Sequence, residues 1–330
     1  MSRLLAVASS TAIIAATAVL TACGSADRQS TALLERALER PVKSANVALD
    51  VRVEAEGAPG IDEPLRARVS GPYRSGEGRQ LPSFDWDVAF SGAGQNISAG
   101  LVSTGDNAFV TFLGNAYEVG EREVARKNRR MQRASPERPR GSLEDLGLDP
   151  ARWIAGARNE GDEDVAGVAT THLSGEVDVA KMLADLDRAK LKAGRRGSEH
   201  RAMTAAERKR LVDGVEDNRF EVWVAKSDET IRRVTGEVEL TRPREGRKSA
   251  PRADGPLAGL SQAERVRIEF SVELSDVGEQ QRIQAPANPR PLEDLGRALE
   301  GMGRAGAMGG PQGPTAGAGD RASPFALAIE

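Results

Sequence analysis

The chain has 330 residues and a formal net charge of −3, and 39% of its residues are hydrophobic but only 4% aromatic. This length allows one large domain or two of ordinary size. Because no domain-wide basic excess is present, the composition argues against a nucleic-acid partner. A single cysteine cannot supply a disulfide framework, so the fold must be held together by its own apolar core.

The amino-terminal residues differ from the rest of the chain in being almost uncharged. One basic residue, Arg3, precedes an uncharged run over residues 4–22, as in a secretory signal peptide. Ala, Ser and Thr dilute this run, which favours a cleaved signal over a membrane span. The run leads into "LTAC", ending at Cys23, which resembles the lipobox, where the thiol is diacylated and the bond before it is cut. A type I signal peptide with an incidental cysteine is the alternative.

Acylation of Cys23 would determine where the protein resides. The signal peptide, residues 1–22, would be removed, and two acyl chains on Cys23 would hold the mature chain in a bilayer. Residues 23–30 are small and polar and are expected to form a disordered tether. We therefore expect a lipid-anchored protein on the outer face of the cytoplasmic membrane, with membrane lipid as its first partner.

Residues 31–40 follow the tether and place Leu33, Leu34 and Leu38 at helical spacing. Beyond them, apolar and polar residues alternate in about nine or ten segments, which is typical of antiparallel strands with one solvent-facing side. The clearest apolar sets are Val47/Leu49/Val51/Val53, Phe84/Trp86/Val88/Phe90, Ile97/Ala99/Leu101, Ala108/Val110/Phe112, Phe220/Val222/Val224, Val234/Val238/Leu240 and Val266/Ile268/Phe270/Val272/Leu274.

Helical patterns interrupt the strands. Residues 122–134 predict a helix with almost no apolar side, and Pro150 after Asp149 predicts the start of another over residues 149–158. The strongest amphipathic pattern covers residues 178–194, with Met182 and Leu186 on its apolar side. A further helix is expected within residues 204–217.

The carboxyl-terminal residues differ in composition from the rest of the chain. From Asp276 onward the sequence is rich in Gly, Ala and Pro, which cannot bury enough surface to hold a fold. We therefore predict a low-complexity, disordered tail over residues 276–330 and a single folded domain over residues 31–275.

The order of these elements resembles that of a known family. The segments that carry the likeness are "LDPARWIAGARNEGDEDVAGVATTHLSGEVDVAKML" and "FEVWVAKSDETIRRVTGEVEL". In the first, an acidic strand, a tight turn at Ala166-Gly167 and a second strand lead directly into the strongest helix. The segments resemble the LppX/LprG-type lipoproteins of actinobacteria, whose domain is similar to the LolA/LolB lipoprotein carriers. Over residues 31–275 the resemblance implies an α+β fold, a half-open antiparallel β-barrel wrapped around a few helices, with an apolar cavity for acyl chains.

The alternating strands also predict a large apolar sheet face. One helix of about 14 residues, near 10 Å wide, cannot cover that face, so lipid chains could fill the remainder. We therefore expect a protein that binds lipid or lipoglycan acyl chains, with transport across the cell envelope as one role. The alternative is a structural or interaction lipoprotein, whose closed core displays a surface to an envelope protein partner. The expected ligand-binding residues are Leu49, Val51, Trp86, Val88, Phe90, Val110, Phe112, Met182, Leu186, Val222, Val224, Val238 and Phe270.

Two segments are strongly basic. Residues 121–140 carry eight basic residues against three acidic ones, and residues 188–210 carry nine against two. Such runs are usually solvated faces or linkers. The functional alternative is contact with anionic lipid head groups, at about 1 kcal/mol per basic residue near the surface.

Residues suited to catalysis are scarce. The two histidines, His172 and His200, have no metal-ligand spacing, and no nucleophile motif is present. His172 alternates within a strand and is expected to be structural or solvent-facing. The acidic cluster over residues 160–164 lacks the spacing of a calcium loop. We expect no catalytic residue, metal or cofactor, and hence no enzyme.

Overall fold

The computed structural model describes residues 27–76, 81–134, 150–193, 204–241 and 258–299. The predicted signal peptide, Cys23 and His200 lie outside these residues. The first described residues are helical from position 27, so residues 27–30 of the segment predicted as a tether are helical.

The described strands form one sheet. In chain order they are β1 (Ser44–Glu56), β2 (Leu65–Arg74), β3 (Ser83–Gly92), β4 (Gln95–Ser103), β5 (Ala108–Phe112), β6 (Asn115–Glu118), β7 (Ile154–Val165), β8 (Val168–Val177), β9 (Val215–Ala225), β10 (Ile231–Thr241), β11 (Arg265–Ser275) and β12 (Arg290–Pro291). Their order across the sheet is β12-β6-β5-β4-β3-β2-β1-β11-β10-β9-β8-β7. Because β12 and β7 are edges that do not pair with each other, the sheet is not closed. The predicted α+β fold with a half-open antiparallel sheet is confirmed.

Two meanders make up the sheet. Strands β1 to β6 are neighbours in chain order, and so are β7 to β11. The meanders join where β1 pairs antiparallel with β11, in a continuous register from Asn46↔Ser275 to Glu56↔Arg265. The short β12 pairs parallel with β6. All other strand pairs are antiparallel, as the alternation predicts.

Five described α-helices accompany the sheet. They are α1 (27–39), α2 (Glu121–Ala134), α3 (Val179–Ala193), α4 (Ala205–Asp213) and α5 (292–299). The prediction of a helix over residues 149–158 is wrong. Only a single 3-10 turn, Pro150–Trp153, forms there, and Ile154 begins β7. Pairing of β7 with β8 overrides the local helix signal, and the two strands meet at the predicted turn, where Ala166 and Gly167 have φ values of 51° and 82°.

Apolar residues in register form continuous rows across one face of the sheet. The first row, from β4 to β8, is Ala99, Val88, Val69, Leu49, Val272, Val234, Val222 and Leu173. The second, one pair further along, is Ile97, Phe90, Ala67, Val51, Phe270, Gly236, Phe220 and Gly175. We call this side the apolar face. The opposite side, the charged face, carries ion pairs such as Arg267 with Glu237 and Arg233 with Glu273.

Helices cover the apolar face at its two sides. On one side, Leu34 and Ala37 of α1 pack against Leu173, Val222 and Val224 of β8 and β9. On the other side, α5 places the buried Leu295 against Val110 and Tyr117 of β5 and β6. The structured region therefore extends to residue 299, whereas the sequence predicted a tail from residue 276. The physical reason is that three leucines, Leu292, Leu295 and Leu299, occupy one side of α5 and pack on the sheet.

Candidate functional site

The middle of the apolar face lies between α1 and α5. We call its side chains on β1, β2, β3 and β11 the central floor: Leu49, Val51, Ala67, Val69, Trp86, Val88, Phe90, Ile268, Phe270 and Val272. Each is partly exposed, and Ile268 keeps 37% of its surface accessible. Side chains beneath the two helices are instead buried, with Leu173 at 0% and Val110 at 2%. Together, the central floor and its two flanking helices form an apolar trough.

Charge is absent from the central floor. Alternation along β1 to β4 and β11 places only apolar residues, glycine, Tyr73, Gln95 and Ser103 on this face among the described residues. Two phenylalanine rings lie over glycines on neighbouring strands. A Cβ atom at Gly236 would come within 2.3 Å of the Phe270 ring, so glycine is what allows the ring to lie flat there. The result is a smooth apolar surface.

The structure divides the predicted ligand-binding residues into groups. Six of them belong to the central floor, namely Leu49, Val51, Trp86, Val88, Phe90 and Phe270. Four others are covered by the protein's own helices, with Val222 and Val224 packing under α1 and Val110 and Phe112 under α5. Val238 is partly buried on β10, in register with Ile268. Met182 is partly buried on α3, and the side chain of Leu186 lies outside the described residues.

Three aromatic residues gather at the end of the apolar face where β3 begins. The rings of Phe84 and Trp86 stack with centroids 4.2 Å apart, and Tyr73 pairs with Phe84 across β2 and β3. Burial raises the pKa of the Tyr73 phenol, which therefore stays neutral. The indole Nε1 of Trp86 is buried and has no hydrogen-bond partner. No pattern in the sequence pointed to this unpaired donor.

The charged face carries a separate aromatic cluster. The rings of His172 and Trp223 stack at 4.4 Å, and the Arg233 guanidinium lies 5.4 Å from the Trp223 ring centroid. The Trp223 indole donates a hydrogen bond to Glu163 at 2.7 Å. His172 thus takes part in side-chain packing on the face away from the trough. Among the described residues, no group of three or more His, Cys, Asp or Glu side chains is arranged to hold a metal ion.

Two cavities lie elsewhere on the molecule. One of about 530 Å³ lies between α1 and strands β7 to β9, next to Thr31, Ala157 and Phe220. The other, of about 430 Å³, is lined by turn residues such as Glu63 and Gln95. Neither includes a central-floor residue, so the trough is an open surface rather than part of either cavity.

Both basic segments contain ion pairs among their described residues. In α2, Arg122, Arg126 and Arg129 are exposed, and Arg126 pairs with Glu123 one helical turn away. In α3 and α4, Arg208 pairs with Asp187 at 3.5 Å, and other cations have carboxylates one helical turn away. Much of the second segment, residues 194–203, lies outside the described residues. No helix in the described part of the chain is long and apolar enough to cross a membrane.

Comparison with known proteins finds similarity at the level of structure. No family model and no curated protein matches the sequence. Among solved structures, the chain is similar to the lipoprotein LppX of Mycobacterium tuberculosis, with 11% identity, a TM-score of 0.38, and coverage of 78% of this chain and 100% of that one. For LprF of Mycobacterium bovis the identity is 12% and the TM-score 0.38, and the match covers 79% of this chain and 98% of that one. For a LolA superfamily protein of Nitrosomonas europaea the identity is 11% and the TM-score 0.19, with coverage of 78% of this chain and 94% of that one.

Proposed function

We propose that this protein is a membrane-anchored lipoprotein that binds the acyl chains of a lipid or lipoglycan in the apolar trough. One observation carries the proposal: the central floor is continuous, uncharged and left uncovered by α1 and α5, although Phe90 at its end packs against the buried cluster that includes Ile61 and Leu65. Soluble proteins rarely leave large contiguous apolar patches exposed unless the patch binds something. A closed core would bury Leu49 and Val272 as fully as it buries Leu173.

The size of the trough suits a long hydrocarbon chain. The ten residues of β3 span about 33 Å, and the axes of β3 and β11 lie about 14 Å apart across two intervening strands. Burial of a 16-carbon chain is favourable by roughly 12 kcal/mol before ordering costs, at about 0.8 kcal/mol per methylene. Because a bilayer offers the same gain per methylene, burial in the trough offsets the cost of withdrawing the chain from the membrane to the extent that the chain is covered.

The anchor would place the trough close to the membrane. Cys23 precedes the first described residue of α1 by four positions, and each residue spans at most about 3.6 Å. An acylated Cys23 therefore keeps the amino-terminal end of α1 within about 15 Å of the bilayer surface. Because α1 is one side of the trough, a lipid could pass between the bilayer and the floor over a short distance.

Lipid analysis of a soluble form tests this proposal. A Cys23→Ala variant, purified without detergent, should release stoichiometric acyl lipid into an organic extract analysed by mass spectrometry. Adding Val51→Arg places a charge in the middle of the floor and should abolish the lipid. The matched control, Ser70→Arg, also introduces an arginine, but at an exposed position on the opposite face of β2. This control should retain the lipid. Extracts without lipid from the parent variant would leave only a tethered display module for a protein partner.

A further inference from the structure

The apolar face contains one hydrogen-bond donor that the protein does not use. Five buried side-chain atoms among the described residues lack a hydrogen-bond partner, and Trp86 Nε1 is the one on the apolar face. An indole N–H can only donate, and buried tryptophans usually find an acceptor. A buried polar group left unpaired is destabilising, so its presence calls for an explanation.

The Trp86 ring lies at the edge of the central floor. Trp86 as a whole is only half-buried, so part of its ring already belongs to the floor. On β2 the neighbouring residue is Gly71, which contributes no side chain, and the backbone of Asp85 and Trp86 lies against it. The χ2 torsion of tryptophan is broad, so a turn of the ring can present Nε1 to a molecule lying on the floor.

The site offers one neutral hydrogen-bond donor and no charged side chain, which limits the kind of acceptor that a ligand can place there. A hydrocarbon chain has no acceptor, and the first one along an acyl lipid is the carbonyl oxygen. No charged side chain occupies this face on β1 to β4 or β11. An ionised carboxylate would therefore lose its water against a single neutral donor, which is strongly unfavourable. A neutral ester or amide carbonyl needs only that one donor.

We propose that Trp86 is a specificity-determining residue of the trough, which donates its indole N–H to the carbonyl of an ester-linked acyl chain. The inference rests on the proposed function, since it names the part of the lipid that the floor recognises. It distinguishes ester-linked lipids from ether-linked lipids and from free fatty acids of the same chain length.

Paired lipid analogues test the inference. The Cys23→Ala protein, stripped of lipid, is titrated with dioctanoylglycerol, which has ester carbonyls, and with dioctylglycerol, the ether analogue that lacks them. We expect the ester to bind about five- to tenfold more tightly, the value of one neutral hydrogen bond. Trp86→Phe keeps an aromatic ring but removes the donor, so the two lipids should then bind equally. Trp153→Phe, which removes an indole bonded to Asp185 outside the trough, should keep the preference.

A second measurement uses only the parent protein, so it does not depend on whether the Trp86→Phe variant folds. The carbonyl stretch of ¹³C-carbonyl dioctanoylglycerol bound to the parent protein should lie at lower frequency than in alkane solution. In a third titration, methyl octanoate should bind more tightly than octanoate at pH 8.

The outcomes separate this inference from the proposed function. If neither glycerolipid binds, the trough is not a lipid site. If both bind equally to the parent protein, or if Trp86→Phe keeps the preference, lipid binding stands and the role of Trp86 is refuted. An unshifted carbonyl stretch, or tighter binding of octanoate, also refutes an ester-carbonyl acceptor.

Discussion

Replacing Val51 and Val222 separately by arginine distinguishes an open floor from a closed core. Both valines lie on the apolar face, one row apart, and both belong to antiparallel strands with neighbours on each side. They differ in what lies above them. Val51 is partly exposed between α1 and α5, whereas Val222 is 3% exposed beneath α1.

The expected free-energy losses follow from this difference. At Val51 the aliphatic part of the arginine side chain can lie along the floor while its guanidinium reaches water. We therefore expect the free energy of unfolding to fall by about 1–2 kcal/mol. At Val222 the guanidinium must either be buried without a partner or displace α1 from the sheet. Either outcome should cost about 4 kcal/mol or more, a large part of a typical stability of about 5–15 kcal/mol.

Urea unfolding of the Cys23→Ala protein, followed by circular dichroism, measures both values. The Val51→Arg variant should keep a cooperative transition with an unchanged slope, while the transition of Val222→Arg should lie at a much lower urea concentration. Losses that agree within about 1 kcal/mol would mean that both valines are equally enclosed. In that case the trough does not exist as an open surface.

Three further substitutions probe the surrounding structure. Replacing Leu295, which is 5% exposed on α5, by alanine should lower the free energy of unfolding by about 2–4 kcal/mol in urea titrations. Asp178 accepts a hydrogen bond from the backbone N–H of Lys181 at the start of α3, so Asp178→Ala should cost about 1 kcal/mol. That bond is the largest cause of the lowered pKa of Asp178, so its contribution is complete above the unfolded pKa of about 3.9. It disappears as the pH falls through the folded pKa, and urea titrations from neutral to strongly acid pH should detect the shrinking difference. Gly71→Ala places a Cβ 2.0 Å from the carbonyl oxygen of Asp85 at a φ of 139°, so thermal unfolding should report a loss of about 1–3 kcal/mol.

Strand alternation predicted the sheet well because burial on one face imposes a period of two. Val51 and Phe270 were assigned to apolar sides independently, and the structure pairs them in register. The hairpin turn at Ala166-Gly167 was also identifiable, since glycine there adopts the positive φ that such turns require.

Helix packing could not be predicted in the same way. The pattern over residues 178–194 predicts an apolar side for α3, yet Val179 and Asp185 are its only buried residues among the described side chains. Instead, α1 and α5 cover the two sides of the apolar face, because the pattern of a single helix does not show which part of a sheet it packs against. For α5 a signal existed: Leu292, Leu295 and Leu299 recur at helical spacing, but the glycine and alanine content of residues 276–330 obscured it.

The pairing of β1 with β11 has a consequence for how the chain folds. Its paired residues are separated by more than 200 positions, whereas strands that are neighbours within each meander are much closer in sequence. Contacts between residues so distant in sequence slow folding, because the intervening chain must first be ordered. The central floor draws on both meanders, so it is complete only when β1 and β11 have paired.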